Sequence, residues 1–156
     1  MIGTNKQENT SGSLGIDKQR SYSEVIELLD NKWSIEEDKS LSRMRKLDSA
    51  LGSPSKNLKT ILVAGSNGKS LTINFISQIF KEEGITTGSF YSPHFLTYNE
   101  RICLNKTETI QNKQFTETAN EVINVAEKEG INASSRELLT AVALKHFANS
   151  KVDVPT

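Results

Sequence analysis

The sequence predicts an α/β domain built on a mostly parallel sheet, and three observations carry that expectation. The apolar run Ile61-Leu62-Val63-Ala64 feeds a tight polar turn that contains Gly65 and Gly68. That turn ends in Gly68-Lys69-Ser70 and opens into a segment with helical spacing of apolar residues. A second apolar run over 85–91 comes after it. Strand, helix and strand thus fit within about thirty residues, which is a βαβ unit with a right-handed crossover.

Composition narrows the function classes. The 156 residues suffice for one domain or part of one. Lys+Arg and Asp+Glu balance at 19 each, so no net charge points to nucleic acid or an acidic membrane surface. The single Cys103 excludes an internal disulfide and a zinc pattern, and makes a reducing, cytoplasmic setting the expectation. No apolar run approaches the roughly 20 residues of a membrane span. Residues 1–20 are rich in Asn, Gly, Ser, Thr and Gln without periodicity, and are expected to be a disordered leader to a domain over 21–156.

In order along the chain, Ser21-Tyr22-Ser23-Glu24 has the form of a capping box, with Val25, Ile26, Leu28 and Leu29 next at helical spacing. A polar loop runs over 33–38. A second helix is expected over 41–51, with Leu41, Met44, Leu47 and Leu51 on one stripe and Arg43, Arg45 and Lys46 on its solvated face. Gly52 closes it and Pro54 stops it. The run over 58–64 reads as a strand covered on both faces. The helix after the turn carries Ile73, Phe75, Ile76, Ile79 and Phe80 and ends near Gly84. Residues 85–91 form the next strand, 92–100 a polar loop with aromatics, and 101–104 a short strand. Helices are expected over 112–129, with Phe115, Ala119, Val122, Ile123 and Ala126 inward, and over 135–148, with Leu138, Leu139, Val142 and Phe147 apolar. Lys151-Val152-Asp153-Val154 begins a buried strand, in which Pro155 is out of place.

The chemistry-bearing stretch is the turn at 65–70. Backbone N–H groups, a helix N-terminus and a lysine form a receptor for phosphate, in the manner of P-loop NTPase-like folds. The common pattern Gly-x-x-x-x-Gly-Lys-Ser/Thr is shortened here, because Val63 stands at the first glycine position. Gly65, Ser66, Asn67, Gly68, Lys69 and Ser70 are the candidate phosphate-binding residues, which the family resemblance given below makes ATP-binding. Lys69 is directed at the outer phosphates, and Ser70 or Thr72 at Mg²⁺ or a phosphate oxygen.

Val63-Ala64-Gly65-Ser66-Asn67-Gly68-Lys69 resembles the loop of the Mur ligase superfamily, and the chain most resembles folylpolyglutamate synthase/dihydrofolate synthase. Three further segments agree, in order. Residues 41–54 are similar to the family's helix before the first strand. Tyr91-Ser92-Pro93-His94-Phe95, then Asn99-Glu100-Arg101-Ile102, resemble its Ser-Pro-His and Asn-Glu-Arg-Ile signatures. Glu137-Leu138-Leu139-Thr140-Ala141, with 151–154 after it, matches the approach to its next strand. The resemblance implies a Mur ligase central ATPase domain, truncated, with ATP and Mg²⁺ as cofactors. It implies a ligase in which a folate or dihydropteroate carboxylate takes the γ-phosphoryl of ATP, and the amine of L-glutamate attacks the acyl phosphate. The intact enzyme is expected to be a monomer.

Carried over residue by residue, Lys69 is the phosphate-binding, catalytic lysine and Ser92 a hydroxyl ligand of Mg²⁺. His94, Phe95, Asn99, Arg101, Ser135 and Glu137 fall on the substrate-binding surface. Each has a plainer reading. Ser92 suits a Ser-Pro turn, His94 a solvated loop, and Asn99-Glu100-Arg101 a structural turn with an ion pair. Ser135 suits an N-cap and Glu137 a first-turn acid. Phe95 and Tyr98 suit stacking on a pterin ring or ordinary packing.

The sequence departs from the family at Ser70-Leu71, where Gly-Ser is usual, and at Ser40, where glycine is common. It stops before the family's Glu-Val-Gly-Leu-Gly-Gly segment, its later histidine ligand, its modified lysine and its C-terminal domain. The expectation is therefore a chain inactive alone and prone to aggregate. The alternatives are a non-catalytic nucleotide-binding remnant and a fragment of a cell-wall peptide ligase.

Overall fold

A computed structural model describes residues 17–36 and 40–156. Most of the expected leader, 1–16, and part of the polar loop, 37–39, lie outside the described residues. The end of the leader does not: Arg20 is buried, so the expectation of disorder over 1–20 is corrected for 17–20. The Arg20 guanidinium donates to both carboxylate oxygens of Glu127, at 2.6 and 2.7 Å, and to Asn124 Oδ1 at 2.7 Å. Its backbone N–H and C=O are both held by the Asn120 amide. No apolar periodicity marks this anchor, because it is made by one polar side chain.

Helix α1 (Tyr22–Asn31) starts at the expected capping box, with Ser21 accepting from the Glu24 N–H and Glu24 reaching back. Helix α2 (Ser42–Ala50) begins after Leu41, which takes φ 59° and stays exposed, so Leu41 drops out of the expected stripe while Leu47 and Leu51 are buried. Helix α3 (Lys69–Glu82) comes after the glycine turn and ends at Gly84, whose φ of 74° makes the reversal. Strands β1 (Thr87–Phe90), β2 (Ile102–Leu104) and β3 (Glu108–Thr109), helices α4 (Asn112–Lys128) and α5 (Ser135–Asn149), and strand β4 (Val154–Pro155) complete the order.

The sheet runs β3-β2-β1-β4. Only β1 and β4 are parallel; the β1–β2 and β2–β3 pairs are antiparallel, so the sheet is mixed. On one face, α1, α2, α4 and α5 enclose the core, including Leu29, Leu47, Phe115, Ile123, Leu138, Leu139 and Phe147. Full burial of each such side chain contributes roughly 1.5–3 kcal/mol. All five inward residues expected on α4 are buried, as are the four on α5.

The strand expected over 58–64 is not a ladder strand, and Leu62 is 89% exposed. The reason lies in β4. The Thr156 N–H donates to Gly88 O and the Phe90 N–H to Thr156 O, so Thr156 faces β1. By alternation, Pro155 turns its backbone toward 58–64. Its carbonyl accepts from the Ile61 N–H at 2.9 Å, but proline has no N–H to return. One bond of each pair is lost and the ladder does not form.

Helix α3 covers the other face with inverted polarity. Ser77 and Ser89 pair at 3.1 Å, Ser89 and Thr156 at 2.9 Å, and the Tyr91 hydroxyl donates to Asn74 Oδ1 at 2.9 Å. Ile73 is its one buried large apolar side chain. Leu71, Phe75 and Ile79, at i, i+4 and i+8, are 59, 62 and 62% exposed. A helical apolar stripe normally faces the sheet; here the sheet beneath is narrow and polar, and the stripe looks outward.

Candidate functional site

The site begins at the N-terminus of α3. Gly65 and Gly68 have φ of 149° and 78°, a region that L side chains rarely adopt, so these two positions need glycine for the chain to turn. Among the described residues, the amides of 65–70 find no backbone acceptor; the first to do so is Thr72, which donates to Gly68 O. A row of unpaired N–H groups and the positive end of a helix dipole therefore face solvent, which favours an anion. Lys69 Nζ lies across this loop, donating to Gly65 O at 2.6 Å and Ser66 O at 3.4 Å. The Thr72 hydroxyl is turned back on Gly68 O, whereas Ser70 is exposed.

The bond from Tyr91 to Asn74 fixes the carboxyl end of β1 beside the first half of α3. The loop after β1 therefore emerges at the same end of the sheet as 65–70. It opens with exposed Ser92 and a cis Ser92–Pro93 bond. Glu100 organises the rest of the loop, accepting from the N–H groups of Phe95, Leu96 and Thr97 at 3.0, 3.1 and 2.9 Å. These backbone bonds hold its carboxyl below the ordinary carboxylate range. The expected ion pair of Glu100 with Arg101 is not formed. Phe95 is 94% exposed, while Tyr98 is packed inside.

Arg101 is 3% exposed and donates through Nε to His94 Nδ1 at 2.8 Å. That bond makes His94 an acceptor at Nδ1, the neutral form. Burial first, and then the neighbouring guanidinium, lower the His94 pKa. The plainer reading of His94 as a solvated loop residue is thereby corrected. Asn99 is buried and saturated: Nδ2 donates to Ile110 O and Asn112 Oδ1, and Oδ1 accepts from the Tyr22 hydroxyl. It anchors the loop to α1 and α4.

The N-cap of α5 is Ser134, in a reciprocal box with Glu137, so the reading of Ser135 as N-cap is corrected. Ser135 is fully buried and donates to Leu29 O. Glu137 also pairs with Arg43, at 3.2 Å, which takes Arg43 out of the solvated face expected for α2. Next to this cap, Trp33 carries the guanidiniums of Arg101 and Arg136 over its ring, each 5.4 Å from the centroid. Trp33 Nε1–H donates to the Tyr98 hydroxyl at 2.8 Å, which donates to Asp30 Oδ1 at 2.6 Å. Burial and the bond to Asp30 push the Tyr98 pKa up to about 12.

The expected residues thus gather at the carboxyl end of the sheet. The contact chain His94–Arg101–Trp33–Arg136 runs from the Ser-Pro-His loop to the start of α5. Sequence reasoning missed Asp30 and Trp33. The lone tryptophan in a polar loop was the one available signal. Among the described residues, no group of three or more His, Cys, Asp and Glu could hold a metal ion. Exposed Ser70 and Ser92 are hard oxygen donors of the kind Mg²⁺ takes beside bound phosphates.

Fold and site together define an α/β chain whose sheet presents, at its carboxyl end, a helix N-terminus open to an anion and an aromatic–arginine surface beside it. The chain belongs to the folylpolyglutamate/dihydrofolate synthase family. It is 37% identical over 118 residues to the Bacillus subtilis dihydrofolate synthase/folylpolyglutamate synthase, covering 72% of this chain and 27% of that protein. It is 32% identical over 171 aligned positions to the Mycobacterium tuberculosis protein of that name, covering 99% of this chain and 35% of the other. The solved M. tuberculosis folylpolyglutamate synthase with ADP superposes with a TM-score of 0.78 at 31% identity, over 86% of this chain and 31% of that one. A folylpolyglutamate synthase complex with AMPPCP and folate gives 0.76 at 25% identity, over 87% and 34%. No protein-family model matches the chain. The expected Mur ligase-type α/β class holds, and the chain spans about a third of the length of these relatives. Among the described residues, no helix is long and apolar enough to cross a membrane.

Proposed function

We propose that this chain forms the ATP- and folate-binding part of a ligase that joins L-glutamate to folate or dihydropteroate. The carrying observation is the row of unpaired amides at 65–70 with Lys69 across it, on a chain related to such ligases. The amides and Lys69 bind the phosphates of ATP, with Lys69 leaving its loop carbonyls for the outer phosphates. Bound Mg²⁺ would neutralise phosphate charge, held by the hydroxyls of Ser70 and Ser92. His94, Phe95, Arg101 and Glu137 line or border the substrate surface, and Asn99 and Ser135 support it from beneath. A carboxylate oriented there takes the γ-phosphoryl group, ADP leaves, and the glutamate amine displaces phosphate to form the amide. The setting is cytoplasmic.

The relatives are about three times as long, and the 156 residues alone do not complete the reaction. Equilibrium dialysis of the purified chain tests the reading. Labelled folate is expected to bind, and to bind more tightly with Mg·ATP present, while a UDP-linked cell-wall peptide precursor does not. Binding of the precursor instead of folate would overturn it, whereas glutamate addition by the isolated chain at enzyme-like rates would overturn only the statement that these 156 residues do not complete the reaction.

A further inference from the structure

Helix α3 lies on the sheet through polar side chains rather than through its apolar stripe, and one of those contacts stands beside the site. The Tyr91 hydroxyl donates to Asn74 Oδ1 at 2.9 Å. Among the described residues, this is the one side-chain hydrogen bond from the first half of α3 to another element; Lys69 and Thr72 bond only carbonyls of the turn before the helix. In the second half, Ser77 and Ser89 make the corresponding contact. The Tyr91 backbone N–H donates to Arg101 O at 2.8 Å, and Arg101 Nε donates to His94 Nδ1 at 2.8 Å. Tyr91 is therefore where α3 and the Arg101–His94 pair meet the end of β1. Asn74 comes one turn after Ser70 on the same side of α3, a rise of about 6 Å, and Tyr91 directly precedes Ser92. The two exposed hydroxyls of the site thus stand near the two ends of one hydrogen bond. Burial, opposed by the Ser89 hydroxyl, raises the Tyr91 pKa, so this hydroxyl stays protonated and donating.

We propose that Tyr91 is a positioning residue: through Asn74 it sets how far the Ser92–His94 loop stands from the phosphate receptor at the start of α3. The proposed reaction needs a terminal phosphate and a carboxylate at reacting distance, and a small misplacement costs much of the rate. The phosphate is held by α3 and the carboxylate by the surface after β1, so their separation follows the position of α3 on β1. An apolar contact such as that of buried Ile73 tolerates a small slide. A hydrogen bond does not, because it weakens steeply with distance and angle. The Tyr91–Asn74 bond thus acts on geometry at the end of α3 where the outward stripe supplies no packing. This role rests on the ligase reading for its two ligands, and it gives Asn74, which lies outside the turn at 65–70, a part in the site.

Mn·ATP is the probe, and the two histidines of the chain are the reporters. His94 is in the positioned loop, whereas His146 is in the last turn of α5, toward the amino end of β1. Manganese bound with ATP at the α3 N-terminus relaxes nearby protons with a steep dependence on distance. In NMR spectra of the 156-residue chain it is expected to broaden the His94 ring signals more than those of His146, and excess Mg·ATP is expected to reverse this. Tyr91→Phe keeps the ring and removes the hydroxyl; Asn74→Leu keeps the volume and removes the acceptor. At equal Mn·ATP occupancy, each is expected to lessen the His94 broadening severalfold and leave that of His146 unchanged, with the double variant going no further than either. Asn74→Leu serves if Tyr91→Phe does not fold. The factor by which Mg·ATP tightens folate is expected to drop about fivefold in each, the scale of one neutral hydrogen bond; a merely structural role would lower Tm and leave that factor alone. His94 broadening of wild-type size in both variants would overturn the proposal even with folate bound normally, as would a wild-type chain in which Mn·ATP broadens the two histidines alike. If Mn·ATP reports the loop as expected but folate does not bind, the folate reading falls and the positioning role stands.

Discussion

Gly88 lies in the middle of β1, where the sheet presses on α5. A Cβ there would sit 2.5, 2.7 and 2.8 Å from Cδ1, Cε1 and Cγ of Phe147, contacts that real Cβ atoms do not make. Phe147 is itself 2% exposed in the main core, so its ring has no free space to enter. Gly88→Ala therefore forces β1 and α5 apart, an overpacking cost of about 1–3 kcal/mol. At about 2–4 °C per kcal/mol for a chain of this size, Tm should fall by about 2–12 °C. A thermal melt read by circular dichroism measures this directly. Phe147→Leu alone also destabilises, by leaving a cavity, but in the double variant the smaller side chain makes room for the new methyl. The two substitutions should therefore couple by about 1–2 kcal/mol rather than add. A Gly88→Ala chain that melts with the wild type, or strict additivity in the double variant, would refute the packing argument. The same displacement would disturb the loop that leaves β1 at Ser92, so folate binding should weaken along with Tm.

Arg20→Met removes several charge-assisted bonds to α4 and is expected to cost about 2–3 kcal/mol in denaturant melts; no change would show that the segment before α1 is not anchored. Both histidines, His94 and His146, are held below the ordinary 6.5, chiefly by burial. The folded chain therefore takes up these protons less readily than the unfolded one, so stability is full above about pH 6.5 and lost as pH falls below it. Melts from about pH 7.5 to about pH 5.5 should show falling Tm, with a shallower slope in His146→Gln; a rising or flat wild-type profile would contradict this. Phe75→Ser removes an apolar side chain that is 62% exposed, so it should change stability by no more than about 0.5 kcal/mol while reducing binding of an apolar dye and aggregation. A large loss of stability would mean that the outer stripe of α3 is covered in the isolated chain.

The helices are legible in the sequence because their signals are local. The capping box at Ser21, the inward stripe of α4 and the stops at Gly52, Gly84 and Gly130 depend on residues within a turn or two of each other. The strand expected at 58–64 fails because its pairing depends on Pro155, some ninety positions away, which cannot donate. The face of α3 is not legible for a related reason. Periodicity shows that Leu71, Phe75 and Ile79 share a stripe, but not whether the sheet lies beneath that stripe or behind it. At the site, the glycines and Lys69 are explained by local turn and helix-end chemistry. The roles of Glu100 and Ser135, and the Asp30–Tyr98–Trp33 brace, arise from tertiary contacts that no spacing encodes.

The central claim is that the α3 N-terminus receives the phosphates of ATP. Calorimetric titration of the purified chain with Mg·ATP, alongside Lys69→Ala, tests it most directly. The account predicts saturable binding by the wild type and a loss of about tenfold or more in Lys69→Ala, the scale of one charge-assisted phosphate contact. No binding by the folded wild type, or equal affinity in the two chains, would contradict it.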